Sequence, residues 1–282
     1  MIEPGLLERM EAASRARVEA ARRREPEGAL LARASVTADP PALRLSSFDV
    51  IAELKQRSPA AGRLAHEGFD FEGQLQRYAR AGAAAVSVLT EPEEFQGALE
   101  HLERAAVLLA PLGVPVMRKD FLTAPYQVLE ARAAGAAGVL IIVAMLSDRD
   151  LDALLACAQE CGLFALLEAF DADDLERIAA AAAVRPALEH APILVGVNSR
   201  DLRTLAVDFG RFAALAPHLP RGLPAVAESG IGQIEQLREV ADLGYSLALV
   251  GSTLMQAEDP EATLAGFLAA GRACMRRGRA CS

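Results

Sequence analysis

The chain carries 29 lysines and arginines, yet only two of them, Lys55 and Lys119, are lysines. Arginine effectively never gives up its proton, whereas a lysine can do so in a suitable pocket. Two ammonium groups kept in an arginine-rich chain are therefore the first candidates for acid–base or Schiff-base chemistry. Three carboxylates, Glu53, Glu168 and Glu228, sit inside or at the end of short apolar runs. Burying a lone carboxylate there is costly unless it is paired or hydrogen-bonded. Glu53 and Lys55 are two positions apart, so on a strand both side chains point to one face. A ring of Glu and Lys around one mouth would pair these groups and push their proton affinities apart, as acid–base work requires. The alternative is a structural ion-pair network. Asn198 closes a further apolar run.

A second cluster has the composition of an anion cradle. Glu228-Ser229-Gly230-Ile231-Gly232 and Val250-Gly251-Ser252-Thr253-Leu254-Met255 combine glycines, which let a ligand approach the backbone, with hydroxyls. Ser58 adds a third contact. Together these residues predict a phosphorylated metabolite reaching from the cradle toward Lys119 and Glu168.

The elements that must position these groups recur at regular spacing. Short apolar runs fall at Val50–Leu54, Ala85–Thr90, Pro115–Lys119, Gly138–Val143, Phe164–Glu168, Ile193–Asn198, Ala225–Glu228 and Leu247–Gly251. None alternates strictly, which suits strands buried on both faces of a parallel sheet. Charged stretches of helical spacing lie between them, including Phe71–Ala81, Leu99–Leu112, Pro125–Ala134, Asp148–Cys161, Ala172–Ala183 and Gln233–Leu243. Gly82, Gly135, Gly162 and Gly244 stand where helices should end. Eight such units predict an α/β fold, the (β/α)8 TIM barrel, whose chemistry sits at the C-terminal ends of the strands. An open doubly wound sheet would carry a glycine-rich fingerprint after its first strand, where this chain has Lys55-Gln56-Arg57-Ser58-Pro59. Residues 1–47 precede the repeat and are expected to form an N-terminal helical extension on a barrel spanning 48–282. Leu6–Arg24 reads as one amphipathic helix through Leu7, Met10, Ala13 and Val18, followed by a Pro-rich connector through Pro40 and Pro41.

Composition narrows the function classes. A 52% hydrophobic share excludes a disordered chain. A net charge of −9 argues against a nucleic-acid partner. Met1–Arg24 has no signal-like apolar stretch, and the longest apolar run, Ala133–Leu146, is short of the ~20 residues that span a bilayer. The expectation is a cytoplasmic protein that does not engage membranes. Four cysteines do not make a disulfide framework in a chain of this size, and Cys157 and Cys161 read as helix packing rather than metal ligands. His66, His101, His190 and His218 fall outside the strand ends and read as surface residues.

The motifs together resemble indole-3-glycerol phosphate synthases. The resemblance rests on Ile51-Ala52-Glu53-Leu54-Lys55 with Ser58-Pro59, Ser87-Val88-Leu89-Thr90-Glu91 and Met117-Arg118-Lys119-Asp120-Phe121. It continues through Gly196-Val197-Asn198-Ser199-Arg200-Asp201-Leu202, Ala227-Glu228-Ser229-Gly230-Ile231 and Gly251-Ser252-Thr253-Leu254-Met255. It implies ring closure of 1-(2-carboxyphenylamino)-1-deoxyribulose 5-phosphate to indole-3-glycerol phosphate, with loss of carbon dioxide and water. No metal or organic cofactor is implied. By the same resemblance Lys119 is the general acid and Glu168 the base. Lys55 holds the substrate carboxylate, Glu53 and Glu228 orient the lysines and the amine, and Asn198 holds the substrate. Ser58, Gly230, Gly251 and Ser252 meet the phosphate end, Phe95 and Phe121 line the anthranilate pocket, and Ser229 and Arg200 are further substrate contacts. The N-terminal helix packs over the mouth in this family. The expected assembly is a monomer or weak homo-oligomer.

The chain departs from the family pattern at Gln56, at Ala60 and at the Ala169-Phe170 pair. They leave room for a paralogue acting on a ring-modified substrate. Two further alternatives are a catalytically silent scaffold barrel and a phosphoribosylanthranilate isomerase, which would have a cysteine on the first strand where this chain has Glu53 and Lys55.

Overall fold

The computed structural model describes residues 5–60, 62–65, 68–185, 191–201 and 204–280, with side chains to 276. Eight parallel strands close into a barrel: β1 (Asp49–Leu54), β2 (Ala85–Leu89), β3 (Val116–Lys119), β4 (Gly138–Ile142), β5 (Phe164–Ala169), β6 (Ile193–Asn198), β7 (Ala225–Glu228) and β8 (Leu247–Val250). Each pairs with its sequence neighbour, and β1 pairs with both β2 and β8, so no edge is left open. The strand boundaries lie within one residue of the apolar runs. The strands are buried on both faces, as the lack of alternation required.

Helices α3 (Phe71–Ala81), α4 (Leu99–Leu109), α5 (Pro125–Ala133), α6 (Asp148–Glu160), α7 (Ala172–Ala183), α8 (Gly210–Leu215), α9 (Ile234–Asp242), α10 (Ser252–Gln256) and α11 (Pro260–Ala280) follow the strands. Gly82 caps α3 in the left-handed region at φ 89°, which a residue bearing a Cβ adopts only with strain. Gly138 has a packing reason. A Cβ there would run into the ring of Phe164, which fills the barrel on the next strand.

The N-terminal extension departs from expectation in two ways. Helix α1 (Leu6–Arg24) forms, but its buried face is Leu6, Met10, Ser14, Val18 and Ala21 rather than a face through Leu7 and Ala13. Ser14 tolerates full burial because its hydroxyl donates to the Phe121 carbonyl at 2.5 Å and accepts from Gln127 Nε2 at 2.9 Å. The segment after α1 is not all connector. A second helix, α2 (Glu27–Val36), begins after Pro26, where a missing N–H costs nothing. Its buried Leu30 and Ala34 pack against Tyr126, Leu129 and Ala133 of α5. Arg132 then fastens the chain beyond α2 by donating to the carbonyls of Thr37 and Ala38 and to Asp39.

A short hairpin, Arg57–Ser58 with Gly62–Arg63, folds the loop after β1. His218 is exposed, but His101 is half-buried, 5.5 Å from the Phe71 ring and 3.4 Å from Gln56 Nε2, so its role is packing rather than free surface. His66, His190 and Leu202 lie outside the described residues. Cys157, Cys161 and Cys274 are not joined in disulfides. No helix among the described residues is long and apolar enough to cross a membrane.

Candidate active site

The barrel brings every candidate residue to one cavity of about 450 Å3 at the C-terminal ends of the strands. Glu53 and Lys55 come from β1 and its end, Lys119 from β3, Glu168 from β5, Asn198 from β6 and Glu228 from β7. Ser58, Phe95, Phe121, Arg200, Ser229, Gly230, Gly251 and Ser252 enter from the loops beyond.

Two ion-pair groups form its floor. Lys55 Nζ is 2.5 Å from Glu53 Oε1. Lys119 Nζ lies between carboxyl groups from strands β5 and β7, 3.2 Å from Glu168 Oε2 and 3.5 Å from Glu228 Oε2. Burial works to raise the proton affinity of Glu53, but the charges of Lys55 and Lys119 and the hydrogen bond from Lys55 outweigh it. The Glu53 carboxyl is held below the usual carboxylate range. Burial works against the charged form of Lys119, yet Glu168, Glu228 and Glu53 together raise its proton affinity above that of an ordinary lysine. Glu228 moves the other way from Glu53. Burial first, then the neighbouring Glu168, push it well above the usual range, so it is drawn toward its neutral form.

Glycine makes room for the Glu53 and Glu228 carboxyl groups. A Cβ on Gly251 would collide with Glu53 Oε1, and a Cβ on Gly196 would collide with Glu228 Oε1. That Glu228 oxygen accepts no hydrogen bond among the described residues.

The β7 loop turns sharply at Ser229 (φ 69°) and Gly230 (φ 75°). Gly230 cannot carry a side chain, because a Cβ would come within 2.7 Å of Val207 Cγ1. The Ser229 carbonyl is held by Ser199 Oγ at 3.1 Å, and Thr253 Oγ1 ties α10 to the Ile231 carbonyl at 2.9 Å. The first bond fixes the β7 loop against the loop after β6, and the second fixes it against α10, which follows β8. Asn198 Oδ1 accepts from the Arg200 backbone N–H at 2.9 Å, and the Arg200 guanidinium donates to the Leu205 carbonyl at 2.7 Å. Burial lowers the proton affinity of Arg200, partly countered by Glu53.

On the opposite wall Phe95 and Phe121 stand with ring centroids 6.2 Å apart, beside the apolar Leu89, Leu140 and Ile142. The cavity thus has a hydroxyl- and amide-rich end, a charged floor and an aromatic wall. Of the three departures, Ala60 lines it, Gln56 turns to His101, and Phe170 packs half-buried against the core. The reading from sequence missed Leu6 of α1, which reaches the cavity, and the polar groups behind Lys119. There Asp120 accepts from Arg17, Thr90, Arg118 and the Phe121 N–H. Arg17 carried no signal, being one arginine in a strongly charged helix. Among the described residues no group of three or more His, Cys, Asp or Glu is arranged to hold a metal ion.

Comparison with known proteins bears on this site. A family model described as indole-3-glycerol phosphate synthase matches residues 7–267. The chain is 44% identical over 229 residues to the indole-3-glycerol phosphate synthase of Parafrankia sp. (strain EAN1pec), covering 81% of each chain. It is 40% identical over 239 residues to indole-3-glycerol phosphate synthase 1 of Streptomyces coelicolor, covering 84% of each. Among solved structures it resembles 3-hexulose-6-phosphate synthase from Salmonella typhimurium, with a TM-score of 0.59 at 14% identity over 80% of this chain and 100% of that one. Thiamine phosphate pyrophosphorylase from Pyrococcus furiosus gives a TM-score of 0.57 at 13% identity, over 81% of this chain and 97% of that one. These two likenesses concern the fold alone.

Proposed function

We infer the division of labour in the cavity from one premise: the chain belongs to the indole-3-glycerol phosphate synthase family. It is a carboxy-lyase of tryptophan biosynthesis. It closes 1-(2-carboxyphenylamino)-1-deoxyribulose 5-phosphate to indole-3-glycerol phosphate and releases carbon dioxide and water.

The phosphate lies at the Ser229, Gly230, Gly251 and Ser252 end with Ser58, and the anthranilate ring against Phe95 and Phe121. Arg200 and Asn198 hold the polar middle of the substrate. Lys55 meets the ring carboxylate, and Glu53 keeps that ammonium in place from 2.5 Å. Lys119 is the general acid. Ring carbon attack on the ketone turns its oxygen into an alkoxide. An alkoxide is basic enough to take a proton even from an ammonium whose affinity the surrounding carboxyl groups have raised. Transfer is therefore matched to the transition state rather than to the bound ketone. Loss of carbon dioxide then restores electrons to the ring. In the dehydration the C–O bond breaks as the hydroxyl takes a proton from a lysine ammonium of the floor and leaves as water, while Glu168 accepts the proton lost from the neighbouring CH2–NH unit. Glu228, drawn toward its neutral form, orients Lys119 and the amine without adding a full second charge.

The observation that carries this reading is the Lys119 ammonium between Glu168 and Glu228, on the floor between the hydroxyl-rich end and the aromatic wall. We place the enzyme in the cytoplasm as a monomer or weak homo-oligomer, acting without nucleic acid or membrane. The test adds the carboxyphenylamino-deoxyribulose phosphate to purified protein without metal or cofactor. Indole fluorescence should appear, and none at high enzyme concentration would overturn the assignment. Because Ala60 lines the cavity, a second arm with ring-substituted substrates checks for a ring-modified preference. Faster turnover of one of them would replace the plain substrate in this reading.

A further inference from the structure

Arg17 stands on the face of α1 that meets the barrel mouth, one residue from buried Val18 and one turn from buried Ser14. Its two terminal nitrogens reach different loops. Nη2 donates to Asp120 Oδ1 at 2.7 Å, and Nη1, which has no hydrogen-bond partner among the described residues, lies 3.6 Å from Glu91 Oε1. Both carboxylates are almost wholly buried.

Each carboxylate organises the loop that carries one aromatic ring of the cavity wall. Glu91 accepts from the backbone N–H groups of Glu93, Glu94 and Phe95 at 2.9, 2.7 and 3.0 Å, so the segment leading to Phe95 is wrapped around it. The wrap is tight: Gln96 sits at φ 54°, and the Gly97 N–H donates to the Glu91 carbonyl at 2.7 Å. Asp120 accepts from the Phe121 N–H at 2.8 Å and follows Lys119 directly. Ser14 Oγ, from the same helix face, holds the Phe121 carbonyl. A planar guanidinium can address two carboxylates at once, which the point charge of a lysine cannot do in the same way.

We propose that Arg17 is a positioning residue that clamps the loops after β2 and β3 together and so sets the spacing of Phe95 and Phe121 around the aromatic ring of the substrate. It touches no reacting atom. Its effect passes through Glu91 and Asp120, which makes the N-terminal helix part of the substrate pocket. The inference rests on the assignment of Phe95 and Phe121 to the ring pocket, and its test includes a readout that does not need turnover.

Arg17→Met and Arg17→Lys are compared with the unaltered enzyme by steady-state kinetics and by peptide-resolved hydrogen exchange. Arg17→Met should raise KM roughly tenfold, the size of effect such a network contact carries, while kcat stays within about threefold. Exchange should quicken in the peptides covering 91–97 and 120–124 and stay unchanged in the strands. Arg17→Lys should lie between, holding one loop but not both. Unchanged KM and unchanged loop exchange in both variants would overturn the clamp. So would a fall in kcat at constant KM, which would place the effect on Lys119 rather than on the aromatic wall. If Arg17→Met does not fold, Arg17→Lys carries both readouts. If the unaltered enzyme fails to turn over, the functional reading falls while the exchange result still decides whether Arg17 holds the loops.

Discussion

The two lysines occupy opposite kinds of neighbourhood. Lys55 is paired along its own strand, with Glu53 two residues back at 2.5 Å. Lys119 is paired across the barrel, with Glu168 from β5 and Glu228 from β7 at 3.2 and 3.5 Å. The first pair is a property of a short peptide and the second exists only when the barrel closes. The difference suits different work. A lysine with one partner can offer its charge to a bound carboxylate. One between two carboxyls is kept charged until a stronger base appears beside it. Exchanging each lysine for methionine tests that contrast at its largest. Lys119→Met should lower kcat by at least the ~10²–10⁴ that general acid catalysis supplies, with further loss from uncompensated charge on the alkoxide. Lys55→Met should act first on KM. Steady-state fluorescence assays of both variants check this, and the opposite ranking would exchange their roles.

The carboxylates sharpen the same comparison through stability. Glu53→Gln removes the anion that faces Lys55 and should cost ~1–3 kcal/mol in urea unfolding near neutral pH. Glu228→Gln should cost less, because that side chain already leans toward its neutral form. Their pH dependences run in opposite directions. Glu53 has a folded-state affinity below its unfolded value. It therefore stabilises the fold above the unfolded pKa, and that stability is lost as pH falls through the folded value. Glu228 has the reverse shift, so in the unaltered enzyme it withdraws stability as pH rises above the unfolded pKa. Relative to the unaltered enzyme, Glu228→Gln should gain on raising the pH from 4 to 7 and Glu53→Gln should lose. Parallel trends in the two variants would show that the two carboxyls are not electrostatically distinct.

This contrast also explains what could be read without coordinates. The eight strands were legible because strands buried on both faces must be apolar throughout, and few other residues in this chain form such runs. Glu53 and Lys55 were legible as a pair because their contact is set by the two-residue repeat of a strand. Lys119, Glu168 and Glu228 were each legible as polar residues at strand ends, but their convergence needed the closure of the barrel. Helix α2 was obscured by Pro26, Gly28 and the prolines beyond it. Its stability comes from Leu30 and Ala34 against α5, a partner some 100 residues away whose presence local spacing does not encode. Arg17 was hidden for a related reason. Nothing in a run of charged helix residues marks the one whose carboxylate partners arrive from two barrel loops.

The smallest effect concerns the space behind the carboxylates. Gly196, on β6, leaves room for Glu228 Oε1, the oxygen that accepts no hydrogen bond among the described residues. In Gly196→Ala the new methyl must push that oxygen aside, and the carboxylate turns as a unit, so the Oε2 contact with Lys119 lengthens beyond its present 3.5 Å. The oxygen is the far end of a side chain and can move, so the change is modest: kcat should fall about threefold to tenfold, ~1 kcal/mol, with KM little altered. The Leu166 Cδ1 atom, 3.1 Å from the new methyl, adds a smaller steric cost. A double-mutant cycle separates the two sources. In a Glu228→Ala background there is no carboxylate to displace, so Gly196→Ala should then cost only what Leu166 imposes. An equal fall in kcat in both backgrounds would mean that the glycine serves the strand rather than the carboxylate. Gly251→Ala, set against Glu53 in the same way, should instead disturb the one-partner lysine and appear in KM. If both alanines act on kcat alike, the division between a binding lysine and a catalytic one is wrong.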